Sequence, residues 1–218
     1  GDEGLRQQYA KCILFDYSYK YFYRDGYGKE YHILNLANSP DRTYRRLYLT
    51  GSLLSFYQQL AFYRDSGAAL APYLLDRPLL ILVGGSVNAV RVEDGKRVTD
   101  VVEFLLFLAH VTRERTACIA DIKRLMSGES GVLDAKQRDV FANRYAFLTA
   151  LQSKNHWKAD GLYDDLLKTI FHASAPGKVH LRLVKQAAGE VALHVGDTGN
   201  ETFGLINVGD PKGTMKLV

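Results

Sequence analysis

The stretch Pro78-Leu79-Leu80-Ile81-Leu82-Val83-Gly84-Gly85-Ser86-Val87-Asn88 is the part of the sequence that best predicts the fold. Five consecutive aliphatic residues follow a proline. The run is too short for a helix and apolar on both faces, so it predicts a fully buried strand of the parallel-sheet kind. The two glycines end this strand and let the backbone approach another group closely. An amphipathic helix predicted to begin near Thr99 would cover it. Together these elements indicate an α/β domain whose functional groups lie at the carboxyl edge of the strand.

The turn after the predicted strand is the best candidate for a contact site. Backbone N–H groups of Gly84 and Gly85, together with the side chains of Ser86 and Asn88, could hold a phosphate without a strong charge. The alternative is a tight turn in which the serine and asparagine side chains satisfy local backbone groups. The residues alone leave both interpretations open.

The chain before this stretch begins with a predicted short helix over residues 3–10. Strands are predicted at Cys12–Phe15 and Tyr31–Leu36. Between them, Asp16 to Gly28 carries a series of aromatic residues. Asp16 or Ser18 could cap a short aromatic helix that stops at Gly26, although the alternation also permits a strand.

A long helix is predicted from Arg42 to about Arg64, because apolar residues recur there at three- and four-residue spacing. Gly51 weakens it by about 1 kcal/mol relative to alanine without breaking it. Arg45 and Arg46, flanked by Tyr44 and Tyr48, could follow a nucleic-acid backbone and stack on bases. The competing interpretation is a solvated helix face with its tyrosines packed inward. A shorter helix over about 68–75 then leads to the Pro78 stretch.

The chain after this stretch is predicted to be helical and then to change to strands. Helices are expected at about 99–111, 113–126, 134–153 and 161–172. A β-hairpin is expected from 179–184 and 191–195, because apolar residues alternate in both segments around a glycine-containing turn. Phe203–Asp210 is predicted as a third strand.

Composition sets wide limits on function. The chain has 218 residues, 47% hydrophobic residues and a formal net charge of +4, which permits a nucleic-acid partner without requiring one. Its two cysteines, Cys12 and Cys118, are predicted as buried thiols, which favours a reducing compartment and a cytoplasmic location. No signal peptide or membrane span is predicted. The start without methionine and the abrupt end are expected of a piece of a longer protein.

The chain lacks the common catalytic and metal-binding motifs. No P-loop, dinucleotide-binding G-x-G-x-x-G, C-x-x-C, H-E-x-x-H or G-x-S-x-G motif is present. The six histidines are scattered. Asp16, Asp25, Asp164 and Asp165 form no recognisable carboxylate constellation. The sequence therefore predicts no catalytic residue and no metal ligand.

Four segments resemble a known family. Phe15–Gly28, with its Tyr-Ser and Asp-Gly-Tyr, resembles the segment that leaves the first motor domain of superfamily 2 helicases related to the Res subunits of type III restriction enzymes. Arg77–Asn88 resembles the first strand of the second RecA-like domain, the region called motif IV. Gly161–Leu167 and Phe203–Asp210 look like later blocks of the same family.

The resemblance implies an α/β fold that is a partial RecA-like motor domain. Residues 1–40 would end the first lobe, 41–77 would form a helical connector, and 78–218 would form the front part of the second lobe, with a helical insertion and a β-hairpin near the C-terminus. The family's ATP- and magnesium-binding motifs would lie upstream of Gly1 and its arginine-finger motif beyond Val218. None of its catalytic residues is therefore carried over, and this chain alone is expected to need neither ATP nor magnesium.

The resemblance also implies a function and partners. It implies contact with the DNA phosphate backbone through Gly85, Ser86 and Asn88, together with lobe–lobe coupling in an ATP-dependent helicase or translocase. A modification or specificity subunit is a further expected partner. Two alternatives are a non-catalytic nucleic-acid- or protein-binding module, and a small-molecule enzyme with an anion site at Gly84–Asn88.

Overall fold

Helices dominate the described part of the chain, and the strands there are short. The computed structural model describes residues 3–10, 17–28, 42–84, 91–93, 96–98, 100–185, 189–196 and 201–208. The helices are α1 (Glu3–Ala10), α2 (Tyr19–Arg24), α3 (Arg42–Asp65), α4 (Gly67–Leu70), α5 (Asp100–Arg113), α6 (Arg115–Met126), α7 (Ala146–Asn155) and α8 (Ala159–Phe171), with a 3₁₀ turn at Ala71–Tyr73. The strands are β1 (Arg91–Glu93), β2 (Lys96–Val98), β3 (Val179–Leu183), β4 (Glu190–Val195) and β5 (Gly204–Asn207). The chain divides into two compact units, Gly1–Asn35 and Leu36–Val218.

The first unit contains α1 and α2. The predicted helix over residues 3–10 is confirmed, and the aromatic stretch forms a helix rather than a strand. Ser18 occupies the N-cap position of α2, and Gly26 follows its C-terminal end with a left-handed φ of 85°. Glycine adopts this conformation without steric cost, which is why the helix stops there. The strands predicted at Cys12–Phe15 and Tyr31–Leu36 lie outside the described residues.

The core of the second unit is formed around α3. The predicted long helix is confirmed, and α3 packs against α6 and α8, which also pack against each other. The buried side chains of these three helices recur at helical spacing, so each helix presents one apolar face to the other two. They include Leu54, Tyr57, Ala61, Cys118, Ile122, Leu125, Leu162, Tyr163, Leu166 and Phe171. α3 lies within the predicted connector, residues 41–77, and is at the centre of this core. The division of the chain into lobes and connector stays a prediction.

A three-stranded antiparallel sheet ends the described chain, in the order β3-β4-β5. It confirms the predicted hairpin, with Leu181 paired to Leu193. The third strand, predicted over Phe203–Asp210, is present over Gly204–Asn207, with Val191 paired to Ile206, and residues 209 and 210 lie outside the described part. Val191 to Val195 of the central strand are buried. The protein is thus a mixed α and β structure. Described strands pair antiparallel only, so the parallel sheet of a RecA-like lobe stays a prediction.

Two helix predictions need correction. The helix predicted over 134–153 begins only at Ala146, and the helix predicted over about 68–75 ends in a 3₁₀ turn at Tyr73. Residues 134–145 form turns because the carboxylates of Asp134 and Asp139 accept backbone N–H groups that a helix would use internally. Asp139 accepts bonds from the amides of Gly131 and Phe141, both at 2.9 Å. Short acidic side chains commonly stabilise turns over helices in this way.

Candidate functional site

The predicted central strand is not a strand in the structure. Residues 78–84 have no regular secondary structure, and Leu79, Ile81 and Val83 are 79%, 72% and 90% exposed. A run of apolar residues shows which side chains burial would stabilise. A strand also needs a neighbouring strand to form hydrogen bonds with its backbone groups. No described strand pairs with this run. The prediction of a buried strand at Pro78–Val83 is therefore wrong for this structure.

The same run forms one wall of a large cavity. The cavity has a volume of about 1060 Å³, and Leu79–Gly84 faces walls formed by α3, α5 and α8 and by the end of the sheet. The walls are mainly apolar and include Leu53, Phe104 and Phe171, with Leu205 on β5. A few charged side chains lie at the lining, among them Arg45, Asp100 and Glu103. A mainly apolar cavity with few polar groups is the usual setting for a small ligand.

Of the residues predicted to contact phosphate, only the first, Gly84, lies in the part of the chain that the structure describes. Gly85, Ser86 and Asn88 lie outside the described residues, whereas Gly84 is described. A Cβ atom on Gly84 would lie 3.3 Å from the Asp100 Cβ and 3.5 Å from the Asp100 Oδ2. An anion bound at Gly84 would therefore meet the carboxylate of Asp100, which opposes its binding. The phosphate site at Gly85, Ser86 and Asn88 stays a prediction.

Arg45 and Arg46 each bind a carboxylate of the protein. The Arg45 guanidinium donates to Glu103 Oε1 on α5 at 2.8 Å. Arg46 donates from Nε to Asp121 Oδ2 at 3.0 Å, and from Nη2 to Oδ1 at 3.4 Å. Asp121 on α6 is only 7% exposed, so this pair joins two helices within the protein. These contacts give both arginines a structural role, and their contact with nucleic acid remains a prediction.

The tyrosines beside these arginines also contact the protein itself. The Tyr44 hydroxyl donates to the Leu133 carbonyl at 3.1 Å and accepts from the Leu133 amide at 2.9 Å. The Tyr48 ring lies against the Phe141 ring, with centroids 6.0 Å apart. Both contacts join α3 to the loop before α7. This agrees with the interpretation of inward-packed tyrosines.

A cluster around Asp121 was not anticipated from the sequence. His110 on α5 places Nε2 4.0 Å from Asp121 Oδ2, and Cys118 lies one helical turn before Asp121. Burial raises the pKa of the Cys118 thiol to about 12. Burial and the Arg46 charge lower the pKa of His110. A buried, protonated thiol is a poor nucleophile, so Cys118 is not expected to act as a catalytic nucleophile. Cys118 is buried, as predicted.

Asp165 on α8 is the centre of a second polar network. The hydroxyl of the fully buried Tyr57 donates to Asp165 Oδ2 at 2.5 Å, and Arg64 donates to both carboxylate oxygens at 3.1 Å. Desolvation by burial and the carboxylate both raise the pKa of Tyr57. Arg115 binds the neighbouring Asp164 with two hydrogen bonds of 2.8 Å. Both aspartates therefore form ion pairs between helices, Asp165 with α3 and the more exposed Asp164 with α6.

Two histidines face each other across the β3–β4 pair. His180 and His194 are cross-strand partners, and their rings stack with centroids 5.6 Å apart. His194 is only 2% exposed. Burial first, and then the neighbouring His180 and Arg182, lower its pKa. Their alternating strand positions were visible in the sequence, but the register that brings them together was not.

Neither a metal centre nor a membrane span is found in the part of the chain that the structure describes. No group of three or more histidine, cysteine, aspartate or glutamate side chains there could hold a metal ion. None of the helices described is both long enough and apolar enough to cross a bilayer.

Comparison with models of known protein families, with curated proteins and with solved structures finds no match for this chain.

Proposed function

We propose that this chain is part of an ATP-dependent DNA helicase or translocase similar to the Res subunits of type III restriction enzymes. Its part is to contact the DNA phosphate backbone and to couple two motor lobes. The positions of the four resembling segments in the two compact units support this proposal. The segment that resembles the exit of the first lobe, Phe15–Gly28, lies in the first compact unit, and the other three segments that resemble the family lie in the second.

The division between the units also falls close to the expected lobe boundary. The structure separates the units after Asn35, whereas the resemblance implies a boundary after residue 40. In such a motor, ATP closes two lobes on each other, and the cycle moves the protein along the phosphate backbone. ATP and magnesium would be bound by motifs encoded outside this sequence. Phosphate would be contacted by Gly85, Ser86 and Asn88 through backbone N–H groups and short polar side chains.

The most direct test is to sequence the encoding gene on both sides of this segment. We expect a G-x-x-x-x-G-K-[ST] loop and an Asp-Glu-Ala-His-type motif upstream, and a Gln…Gly-Arg…Arg block downstream. A start codon directly before Gly1 and a stop codon after Val218 would reject the motor. A non-catalytic binding module would then be the better interpretation.

A binding experiment tests the phosphate contacts themselves. We expect the purified chain to bind labelled DNA with an affinity that falls steeply as salt rises, and to hydrolyse no ATP. Replacing Ser86 and Asn88 together by alanine is expected to weaken binding equally for all DNA sequences, because phosphate contacts carry no sequence information. Ser153→Ala, at an exposed position on α7, is the control and should bind like the parent. Unchanged affinity in the double variant would remove these contacts from the proposal.

The cavity beside Gly84 favours a second candidate, a small-molecule site. Its volume of about 1060 Å³ and mainly apolar walls suit an apolar ligand with one or two polar groups. Leu49→Trp would place a large ring into the cavity from α3. We expect ligand-observed NMR with a set of small aromatic alcohols and amines to detect binding to the parent and not to this variant, because Asp100 and Glu103 line the cavity. Equal binding to both would exclude the cavity as the site.

A further inference from the structure

Residues 17–28 of the first unit carry an unusual density of exposed aromatic rings. Six of these twelve residues are aromatic, and each ring-bearing residue is between 38% and 68% exposed. They are Tyr17, Tyr19, Tyr21, Phe22, Tyr23 and Tyr27. No residue of α2 is buried. Such a concentration of exposed rings on a short segment marks an interaction surface, because soluble proteins rarely expose many large apolar groups together.

Backbone hydrogen bonds hold this aromatic segment in a defined shape. The Asp25 amide donates to the Tyr21 carbonyl at 2.9 Å, and the Gly26 amide donates to the Tyr23 carbonyl at 3.0 Å. The Tyr27 amide donates to the Phe22 carbonyl at 3.1 Å, so the chain folds back on α2. The left-handed Gly26 allows this return of the chain. The rings are therefore presented from an ordered turn of helix.

Five of the six rings form two groups of neighbouring rings. Tyr19 and Tyr23, one helical turn apart, have centroids 6.0 Å apart. In the second group, Phe22 lies 6.2 Å from Tyr17 and 5.6 Å from Tyr27, measured between centroids. Flat rings held at the surface at such separations provide faces on which planar groups can stack.

The charges and hydroxyls of the segment indicate which planar groups would bind. Five of the six rings are phenols, which tolerate water at their outer edge better than aliphatic side chains do. The Arg24 guanidinium lies 5.1 Å from the Tyr21 ring centroid, a cation–π distance. Lys20 adds a second cation, whereas the one acid, Asp25, accepts from the Tyr17 hydroxyl at 2.8 Å and binds Arg24. Aromatic faces beside one surplus positive charge fit stacked bases joined by phosphates.

We propose that residues 17–28 form a base-stacking surface for single-stranded DNA. The choice of DNA rests on the proposed function, whereas stacking of bases rests on the rings and cations of this segment. With this surface a motor binds unpaired bases, which phosphate-backbone contacts alone do not do. In a duplex the base faces are already stacked on each other, so the surface favours single strands.

The test compares ring-deleting and ring-preserving variants of the purified chain. The double variant Tyr19→Ala, Tyr23→Ala removes one ring group, and Tyr19→Phe, Tyr23→Phe keeps the rings and removes only the hydroxyls. Fluorescence anisotropy would measure binding of labelled oligothymidine, of an abasic oligonucleotide with the same number of phosphates, and of duplex DNA. Circular dichroism would confirm that each variant is folded.

We expect the alanine variant to bind oligothymidine about five-fold more weakly or worse, and the phenylalanine variant to bind it like the parent. The parent should prefer oligothymidine to the abasic oligonucleotide, and the alanine variant should lose that preference. Equal binding of oligothymidine by parent and alanine variant would overturn the stacking surface. So would a change in self-association, measured by sedimentation, without a change in DNA affinity.

The same data separate this inference from the proposed function. If the gene encodes motor motifs on both sides and the alanine variant still binds normally, the motor stands and the stacking surface falls. If the gene lacks those motifs but the alanine variant loses its base-dependent affinity, the stacking surface stands without the motor. Absence of any DNA binding by the parent chain overturns the stacking surface, whatever the gene context.

Discussion

The ring of Phe141 lies directly against Gly51, in the middle of α3. A Cβ atom at Gly51 would come within 2.4 Å of the Phe141 Cζ atom, closer than any real contact between carbon atoms. Phe141 is fully buried, and the Tyr145 hydroxyl donates to the Gly51 carbonyl at 2.8 Å. Gly51 has a low helix propensity, yet it is the residue of α3 against which the loop before α7 packs.

Gly51→Ala is expected to destabilise the protein, although alanine is the better helix former. The gain in propensity is about 1 kcal/mol, whereas forcing a methyl group into a packed contact costs about 1–3 kcal/mol and also displaces the Phe141 ring. Urea unfolding followed by circular dichroism would measure the difference. The double variant Gly51→Ala, Phe141→Leu should recover part of the loss, because the smaller side chain leaves room. A single variant more stable than the parent would contradict the packing described.

Shortening an aliphatic side chain distinguishes the exposed Pro78–Val83 run from a buried strand. Ile81→Ala should change the free energy of unfolding by less than about 0.5 kcal/mol, because Ile81 is 72% exposed. Leu54→Ala, at a fully buried position of α3, should cost about 2–5 kcal/mol in the same denaturation experiment. If the two losses are similar, the run is buried in solution, contrary to its exposure in the structure.

Arg46→Gln separates a structural arginine from a DNA-binding one. Removing the guanidinium leaves the carboxylate of Asp121 without its charged donor, so we expect a loss of about 1–3 kcal/mol in unfolding free energy. We expect the salt dependence of DNA binding to stay unchanged. Arg113→Gln on the exposed end of α5 removes the same charge without that ion pair and serves as the matched control. A salt slope reduced by about 1 for Arg46→Gln alone would place Arg46 on a phosphate.

The elements that sequence predicted best are those whose pattern is local. Apolar residues recur at helical spacing in α3, α6 and α8, and they alternate with other residues in β3 and β4. This spacing alone identifies the elements as helices and strands. The helix predicted over 134–153 begins later than expected because the carboxylates of Asp134 and Asp139 accept hydrogen bonds from backbone amides several residues away. The spacing of apolar residues does not reveal such bonds. The Pro78–Val83 run failed because burial of a strand depends on a partner distant in the chain. Its hydrophobicity describes only one side of that contact.

The candidate site was less predictable than the fold for the same reason. The sequence singled out Arg45 and Arg46 as cations on an aromatic helix face, but it could not show that Glu103 and Asp121 lie opposite them. These acids are about 60 to 75 positions away in the chain, and only the packing of α3 on α5 and α6 brings them together. The exposed rings of residues 17–28 needed no distant partner, and their density is visible in the sequence itself.

The stacked pair of His180 and His194 predicts how stability changes below neutral pH. The pKa of His194 is lowered from its ordinary value of 6.5, so the unfolded chain takes up a proton at a pH where the folded protein does not. Protonation therefore favours unfolding, and stability is lost progressively as the pH falls below about 6.5. His110, whose pKa is also lowered, adds a loss in the same direction. The pKa values of Asp65 and Asp134 lie below 3.8, so they contribute only in stronger acid.

His194→Gln is therefore expected to be less sensitive to acid than the parent. The free energy of unfolding would be measured with urea at about pH 7.5 and about pH 5.5, and the readout is the difference between the two values. Since the variant keeps His110, the difference should shrink without disappearing. His156→Asn, at an exposed position after α7 with a left-handed backbone that asparagine tolerates, controls for the loss of any histidine. An equal pH dependence in parent and His194→Gln would mean that His194 takes up its proton equally well in the folded sheet, which its burial beside His180 and Arg182 argues against.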